Sequence, residues 1–269
     1  MNDAVLTRDP QRRSGEPLVN RKHMRFALDD GLGPRARIGL IVLATDNTME
    51  CEWRRILGPV AGVAFYESRL HNSPDITPET LAEMEKDIEG ATRLILPNGR
   101  MDVVAFGCTS GTCVIGEDKV FEKIRAARPG IACTTPITAG VAGMKALGLR
   151  RIALLTPYVD SINQIMRGFI EARGVEVPVV GSFNNGDDSE VARMTPACVR
   201  DAAIELGRHA AVDGVFVSCT SLRVAEIVEE VEAAIGKPVS SSNHAMAWHA
   251  LRLAGVEDRI GGWGRLFAA

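Results

Sequence analysis

The chain has 269 residues, 46% of them hydrophobic and 24% charged, with a formal net charge of −3 at pH 7. That length allows a substantial core in one large domain or two lobes, and the composition is that of an ordinary globular protein. The acidic balance speaks against nucleic-acid binding, which needs a basic face. No apolar run approaches the ~20 residues of a membrane span, so neither a nucleic acid nor a membrane is an expected partner.

Residues 1–36 read as a polar N-terminal extension without the apolar segment of a secretory signal, and a cytoplasmic location is expected. The cysteines at 51, 108, 113, 133, 198 and 219 show no dense disulfide spacing and no CxxC, which suits reduced thiols. From Arg37 short apolar runs alternate with amphipathic stretches, the pattern of βα units. A first strand is expected over 38–43, followed by the polar turn Ala44-Thr45-Asp46-Asn47-Thr48, and a second strand over 60–66. Thr77 can cap a helix with Pro78 at its first position and Leu81, Met84 and Ile88 at helical spacing. After the Asn98-Gly99 turn, Asp102 introduces a strand over 103–106 that runs into Gly107-Cys108-Thr109-Ser110-Gly111-Thr112, and a helix follows over 117–127.

Then the order restarts. Residues 151–156 echo 37–42, 175–180 echo the second strand, and 213–219 echo 102–108, ending in Ser218-Cys219-Thr220-Ser221-Leu222-Arg223. Val224, Ile227, Val228, Val231 and Ile235 form a helical stripe after the second cysteine. The offset between halves is 114 at the first strand and 111 at the cysteines, so the register is nearly kept. The expected fold is α/β, with two pseudo-symmetric lobes, each an open parallel sheet flanked by helices. Ligands bind outside the carboxyl ends of such strands, which places the active site between the lobes. One lobe is expected to comprise 37–136 with 240–269, the other 137–239.

A cysteine between a strand and a helix sits among forward-pointing N–H groups, which lower its pKa and make thiolate accessible. With Thr109, Ser110 and Gly111, or Thr220 and Ser221, those groups form a cradle for a carboxylate. Gly111 lets the backbone come close to a ligand. A strand-end cysteine can equally be a buried, inert core residue, but the repeated Cys-Thr-Ser context favours chemistry. Tyr158 closes the restarted first strand, where its phenol could bind a carboxylate or pass a proton; packing is the alternative. Asn47, in the matching turn of the first half, could donate an amide hydrogen bond or simply serve the turn. Asn163 is expected to be solvated or capping. No P-loop, GxGxxG, HExxH or GxSxG is present, and His244 and His249 fall on different helix faces. Chemistry without cofactor or metal is expected.

These stretches resemble the Asp/Glu racemase superfamily, and within it the branch of maleate cis-trans isomerases and arylmalonate decarboxylases. The carrying segments are Thr45-Asp46-Asn47-Thr48-Met49-Glu50, 107–112, Thr156-Pro157-Tyr158 through Asn163, and 218–223, and the likeness runs from about Arg37 to the C-terminus. The chain is also similar to EutA-type members associated with ectoine utilisation. The resemblance implies Cys108 as nucleophile or base, Cys219 as the opposing proton donor, and Asn47 and Tyr158 as ligands of substrate carboxylates. In the isomerases the first cysteine adds to the double bond, giving a succinyl-thioether that rotates and eliminates. In the racemases the pair acts as two bases. The decarboxylases keep only the second cysteine, so Cys108 speaks against a dedicated decarboxylase. The isomerases tend to carry Asp-Asn before a (Val/Ile)-Ala-Arg segment; here Asp187-Asp188 precedes Val191-Ala192-Arg193. Asp188 at that substrate-binding position would repel a second carboxylate and suit a substrate bearing a cationic nitrogen.

The leading expectation is therefore a cofactor-independent isomerase of a small carboxylic acid, working through Cys108 and Cys219. An amino-acid or ectoine-related racemase with the same pair is the alternative, and a non-catalytic carboxylate-binding protein the third. A homo-oligomer, dimer or tetramer, is the expected assembly.

Overall fold

The computed structural model describes residue 17 and residues 19–269; residues 1–16 and 18, part of the expected N-terminal extension, lie outside the described residues. The chain before Leu32 makes one unit and Leu32–Ala269 a second. The described part of the first holds no helix or strand, and its Asp29 carboxylate accepts the Gly31 amide at 2.8 Å.

The second unit opens with β1 (Ala36–Leu43), whose Ile38, Leu40, Ile41 and Val42 are fully buried, as suits a central strand covered on both faces. There follow α1 (Met49–Leu57), β2 (Val63–Leu70), α2 (Pro78–Glu83), α3 (Glu85–Leu94), β3 (Val103–Phe106), α4 (Thr109–Ile115), α5 (Glu117–Ala127) and β4 (Ala132–Thr134). Among the described residues these strands form a parallel sheet in the order β2-β1-β3-β4. After α6 (Pro136–Ala146) come β5 (Arg151–Thr156), α7 (Asp160–Glu171), β6 (Glu176–Ser182), α8 (Asp188–Val191), α9 (Pro196–Gly207) and β7 (Gly214–Val217). A single 3-10 turn then leads into α10 (Val228–Ile235), β8 (Val239–Ser241), α11 (Ser242–Leu253) and α12 (Gly264–Ala268). The second parallel sheet has the order β6-β5-β7-β8, the first sheet's order repeated.

The repeat extends to individual bonds. Asp102 accepts the Arg37 amide at 2.8 Å, and Asp213 accepts the Arg151 amide at 3.1 Å, so each acid ties the start of its sheet's central strand to the strand beside it. At the other end Gly107 N–H donates to Ile41 and Ser218 N–H to Leu155, both at 2.8 Å. These paired anchors fix where β3 and β7 stop, and therefore put Cys108 and Cys219 at equivalent carboxyl edges.

Each sheet also borrows a helix. Gly140 of α6, which follows β4, has no room for a Cβ because Phe216 of β7 would lie 2.7 Å away. α11, which follows β8, packs on β3, β4 and α1, and Trp53 of α1 donates to the Asn243 carbonyl at 3.2 Å. Ser240 and Ser241 run with the second sheet in β8, and α12 packs on α10 and β8.

Three expected elements shift. The second strand occupies 63–70 rather than 60–66, because Gly62 (φ +75°) turns the chain and its carbonyl accepts from Arg35 and Ala36. The helix begun at Thr77 breaks at Met84 into α2 and α3. Val224 and Ile227 of the apolar stripe precede α10 instead of lying within it. Among the described residues no helix is long and apolar enough to cross a membrane.

Candidate active site

Cys108 has extended backbone (φ −138°, ψ 118°) and caps α4, its Sγ accepting the Gly111 amide at 3.2 Å with Ser110 Oγ 3.9 Å away. This geometry needs glycine at 111, since a Cβ there would stand 2.8 Å from Cys108 Sγ and 2.6 Å from Met84 Cε. The close approach expected at Gly111 is thus to the cysteine's own sulfur. Cys219 sits at φ +151°, and its N–H donates to Ser242 Oγ at 3.0 Å. The same Ser242 hydroxyl meets Thr109 Oγ1 at 2.9 Å, so the first residue of α11 links the two cysteine segments.

Both thiols border one cavity with Thr109, Ser110, Tyr158, Asp188 and Thr220, lined also by residues from 72–84 such as Ile76 and Met84. Its free volume is about 20 Å³, room for about one water. Tyr158 is buried, and its phenol lies beside Cys219 and Ser110, where it stabilises the Cys219 thiolate by hydrogen bonding. Asn163 is not solvated: it donates to the Tyr158 carbonyl at 2.9 Å, accepts from Thr156 Oγ1 at 2.5 Å, and so holds the tyrosine's loop. Asp188 ties the halves together, accepting from Thr45 Oγ1 at 2.6 Å and from Ser221 Oγ at 2.7 Å. Ser221 thereby serves Asp188 and does not line the cavity.

Asn47 is not brought to this cavity. The neighbouring Asp46 accepts the amides of Thr48 and Met49 at 2.7 and 2.8 Å, which starts α1 and turns Asp46 inward. Asn47 then faces outward, is exposed, donates to the Thr45 carbonyl at 2.9 Å and lines a different cavity with Cys51, Arg55 and Arg223.

The expected depression of the thiol pKa values is overturned. Burial pushes both Cys108 and Cys219 up to about 12, and the Asp188 and Asp46 carboxylates push the same way. The Gly111 amide and Ser110 hydroxyl oppose this at Cys108, and the Tyr158 phenol and Ser221 amide at Cys219, without prevailing. Desolvation outweighs the forward-pointing N–H groups, so both groups rest as thiols at neutral pH.

Residues that no local pattern singled out support the second cysteine loop. Glu52, buried on α1, accepts the amides of Val224 and Ala225 at 2.8 Å each and the Asn243 side chain at 2.9 Å. Asn243 also donates to the Thr220 carbonyl at 2.8 Å, and Thr48 Oγ1 donates to the Ser221 carbonyl at 2.8 Å. Of these, Thr48 lies in the turn noted after the first strand, whereas no sequence pattern marked Glu52 or the role of Asn243. His244 and His249 hold separate partners, Ser240 with the Trp263 carbonyl, and Thr134.

A family model described as arylmalonate decarboxylase matches residues 38–267. An arylmalonate decarboxylase of Bordetella bronchiseptica is 36% identical over 140 residues, spanning 51% of this chain and 58% of that one. A maleate isomerase of Alcaligenes faecalis is 26% identical over 248 residues, 86% of this chain and 96% of its own. Among solved structures, a Nocardia farcinica maleate cis-trans isomerase mutant with a covalently bound succinylcysteine intermediate superposes with a TM-score of 0.79. It is 27% identical, with 87% of this chain and 98% of that one covered.

Proposed function

The chain belongs to the arylmalonate decarboxylase family, and from that premise we propose that it is a cofactor-independent isomerase of a small carboxylic acid held between Cys108 and Cys219. The observation that carries this reading is the single cavity bordered by both strand-end thiols and the Tyr158 phenol. The likeness to maleate isomerases, one of them solved with a succinylcysteine, supports it further.

Cys108 Sγ forms a bond to one alkene carbon of the substrate while the Cys219 thiol delivers its proton to the other. The proton that Cys108 gives up returns to Cys219 along Ser110 and Tyr158, which join the two thiols. The adduct is a thioether with a rotatable single bond. After rotation the relay carries that proton back to the departing Cys108 sulfur while Cys219, again a thiolate, takes the carbon-bound proton, which yields the isomer with both thiols restored. A second reading uses the same thiols as acid and base on opposite faces of one carbon; the Asp188 carboxylate in the cavity favours it for an amino-acid-like substrate.

A thermal-shift screen of small mono- and dicarboxylates and amino acids, with proton NMR of the hits in heavy water, tests the proposal. Cys108→Ser and Cys219→Ser should each lower turnover at least about a thousandfold with the circular dichroism unchanged. Full activity in either variant refutes the paired-thiol mechanism. Deuterium entering a saturated carbon without any alkene being turned over would select racemisation.

A further inference from the structure

The charge around the thiols is one-sided. Among the described residues no Lys, Arg or His lines the cavity, whereas Asp188 and the more exposed Asp75 do. Arg69 is already committed: its guanidinium donates to the carbonyls of Leu43, Ala44 and Asp46 and to Glu50. Hydroxyls of Thr109, Ser110, Tyr158 and Thr220 offer neutral donors for one carboxylate. A second carboxylate would meet like charge in a desolvated space, where repulsion is strong.

Behind the wall lies another acid. Asp46 is 2% exposed, and its Oδ2 is buried with no hydrogen-bond partner. It stands beside Thr220, which lines the cavity, and feels the charge of Asp188. An unpartnered carboxylate oxygen at such a place is costly unless positive charge comes near.

We infer that the substrate carries a positively charged nitrogen, ammonium or amidinium, alongside its carboxylate, and that Asp188 is the specificity residue that pairs with it. The inference rests on the paired-thiol reading. The charge delivered beside Asp188 also offsets the field that both thiols feel, so the right substrate makes thiolate easier to form and a dianion makes it harder.

The test is calorimetric titration of the full-length protein with two probes of similar length, gamma-aminobutyrate and succinate. The zwitterion should bind about tenfold tighter or more, and Asp188→Asn should close or invert that gap. Equal or tighter binding of succinate to the wild type, a gap that survives in Asp188→Asn, or binding of neither probe overturns the inference. Should Asp188→Asn not fold, the wild type is treated with aminoethyl methanethiosulfonate, a cation, and sulfonatoethyl methanethiosulfonate, an anion. Mass spectrometry then compares the buried Cys108 and Cys219 with the exposed Cys51 and Cys198. A preference for the cation about tenfold greater at the buried pair supports the inference, and an equal or smaller preference overturns it. Failure of the paired-thiol reading shows separately, as turnover retained in Cys108→Ser or Cys219→Ser.

Discussion

Cys219 is held at φ +151°, an angle that glycine tolerates and other residues rarely adopt. Backbone strain of this kind costs about 1–3 kcal/mol and collects at functional sites. Both Cys219→Gly and Cys219→Ala remove the thiol, but only glycine relieves the backbone. The glycine variant should therefore be more stable than the alanine variant by about 1 kcal/mol, as urea unfolding can measure. Tyr158→Phe removes the phenol between Ser110 and Cys219 and keeps the ring. Turnover should fall about a hundredfold or more, and a rise in KM alone would contradict a proton-passing role. Asp46 and Glu52 are raised to about 6 and about 7, because burial disfavours their charged forms. A carboxyl so raised binds its proton more tightly in the folded chain. Its stabilising contribution is complete below the unfolded value near 4 and is lost as the pH climbs through about 6 or 7. Replacing Glu52 with Gln should abolish that loss, so that stability at about pH 7 relative to about pH 4 is greater than in the wild type by about 3 kcal/mol.

The sheets are held in matching ways at their starts. Asp102 receives the Arg37 amide in one and Asp213 the Arg150 and Arg151 amides in the other. Each acid was visible in the sequence as the residue introducing a cysteine strand, and the structure gives the reason: it secures the neighbouring strand's register. Asp102→Ala and Asp213→Ala should each cost about 1–2 kcal/mol. The two sites share no partner, so the double variant should show the sum within about 0.5 kcal/mol. α1 was less legible. Met49, Trp53, Ile56 and Leu57 mark its buried face, yet its key polar residue, Glu52, works through partners on the far side of the sequence.

At the scale of the molecule, buried residues of both sheets belong to one continuous core, from Ile41 and Val104 to Leu154 and Val217. The exchange of α6 and α11 between sheets adds to that continuity. The unit from Leu32 onward should therefore unfold in one transition, with calorimetric and van't Hoff enthalpies equal; two resolved transitions would show the sheets to be independent. The same closure explains the small cavity. Cys108 and Cys219 are buried, and alkylation by iodoacetamide should be faster at exposed Cys51 and Cys198 than at these two.

The amino-acid order alone settled the duplication, the parallel α/β class and the strand ends that carry Cys108 and Cys219. Those features rest on short-range rules: apolar runs, turn residues, and the same local bond needing the same residue twice. It settled neither which turn residue points inward nor the state of the thiols. Asp46 faces in and Asn47 out because Asp46 accepts the Thr48 and Met49 amides where α1 begins, and both cysteines rest protonated because burial removes water from them. Ser242, Asn243 and Glu52 became site residues only when the two halves met, since their partners lie far away along the chain and no periodicity records such contacts. Local chemistry placed the thiols; the burial created by packing one half on the other decided how they behave.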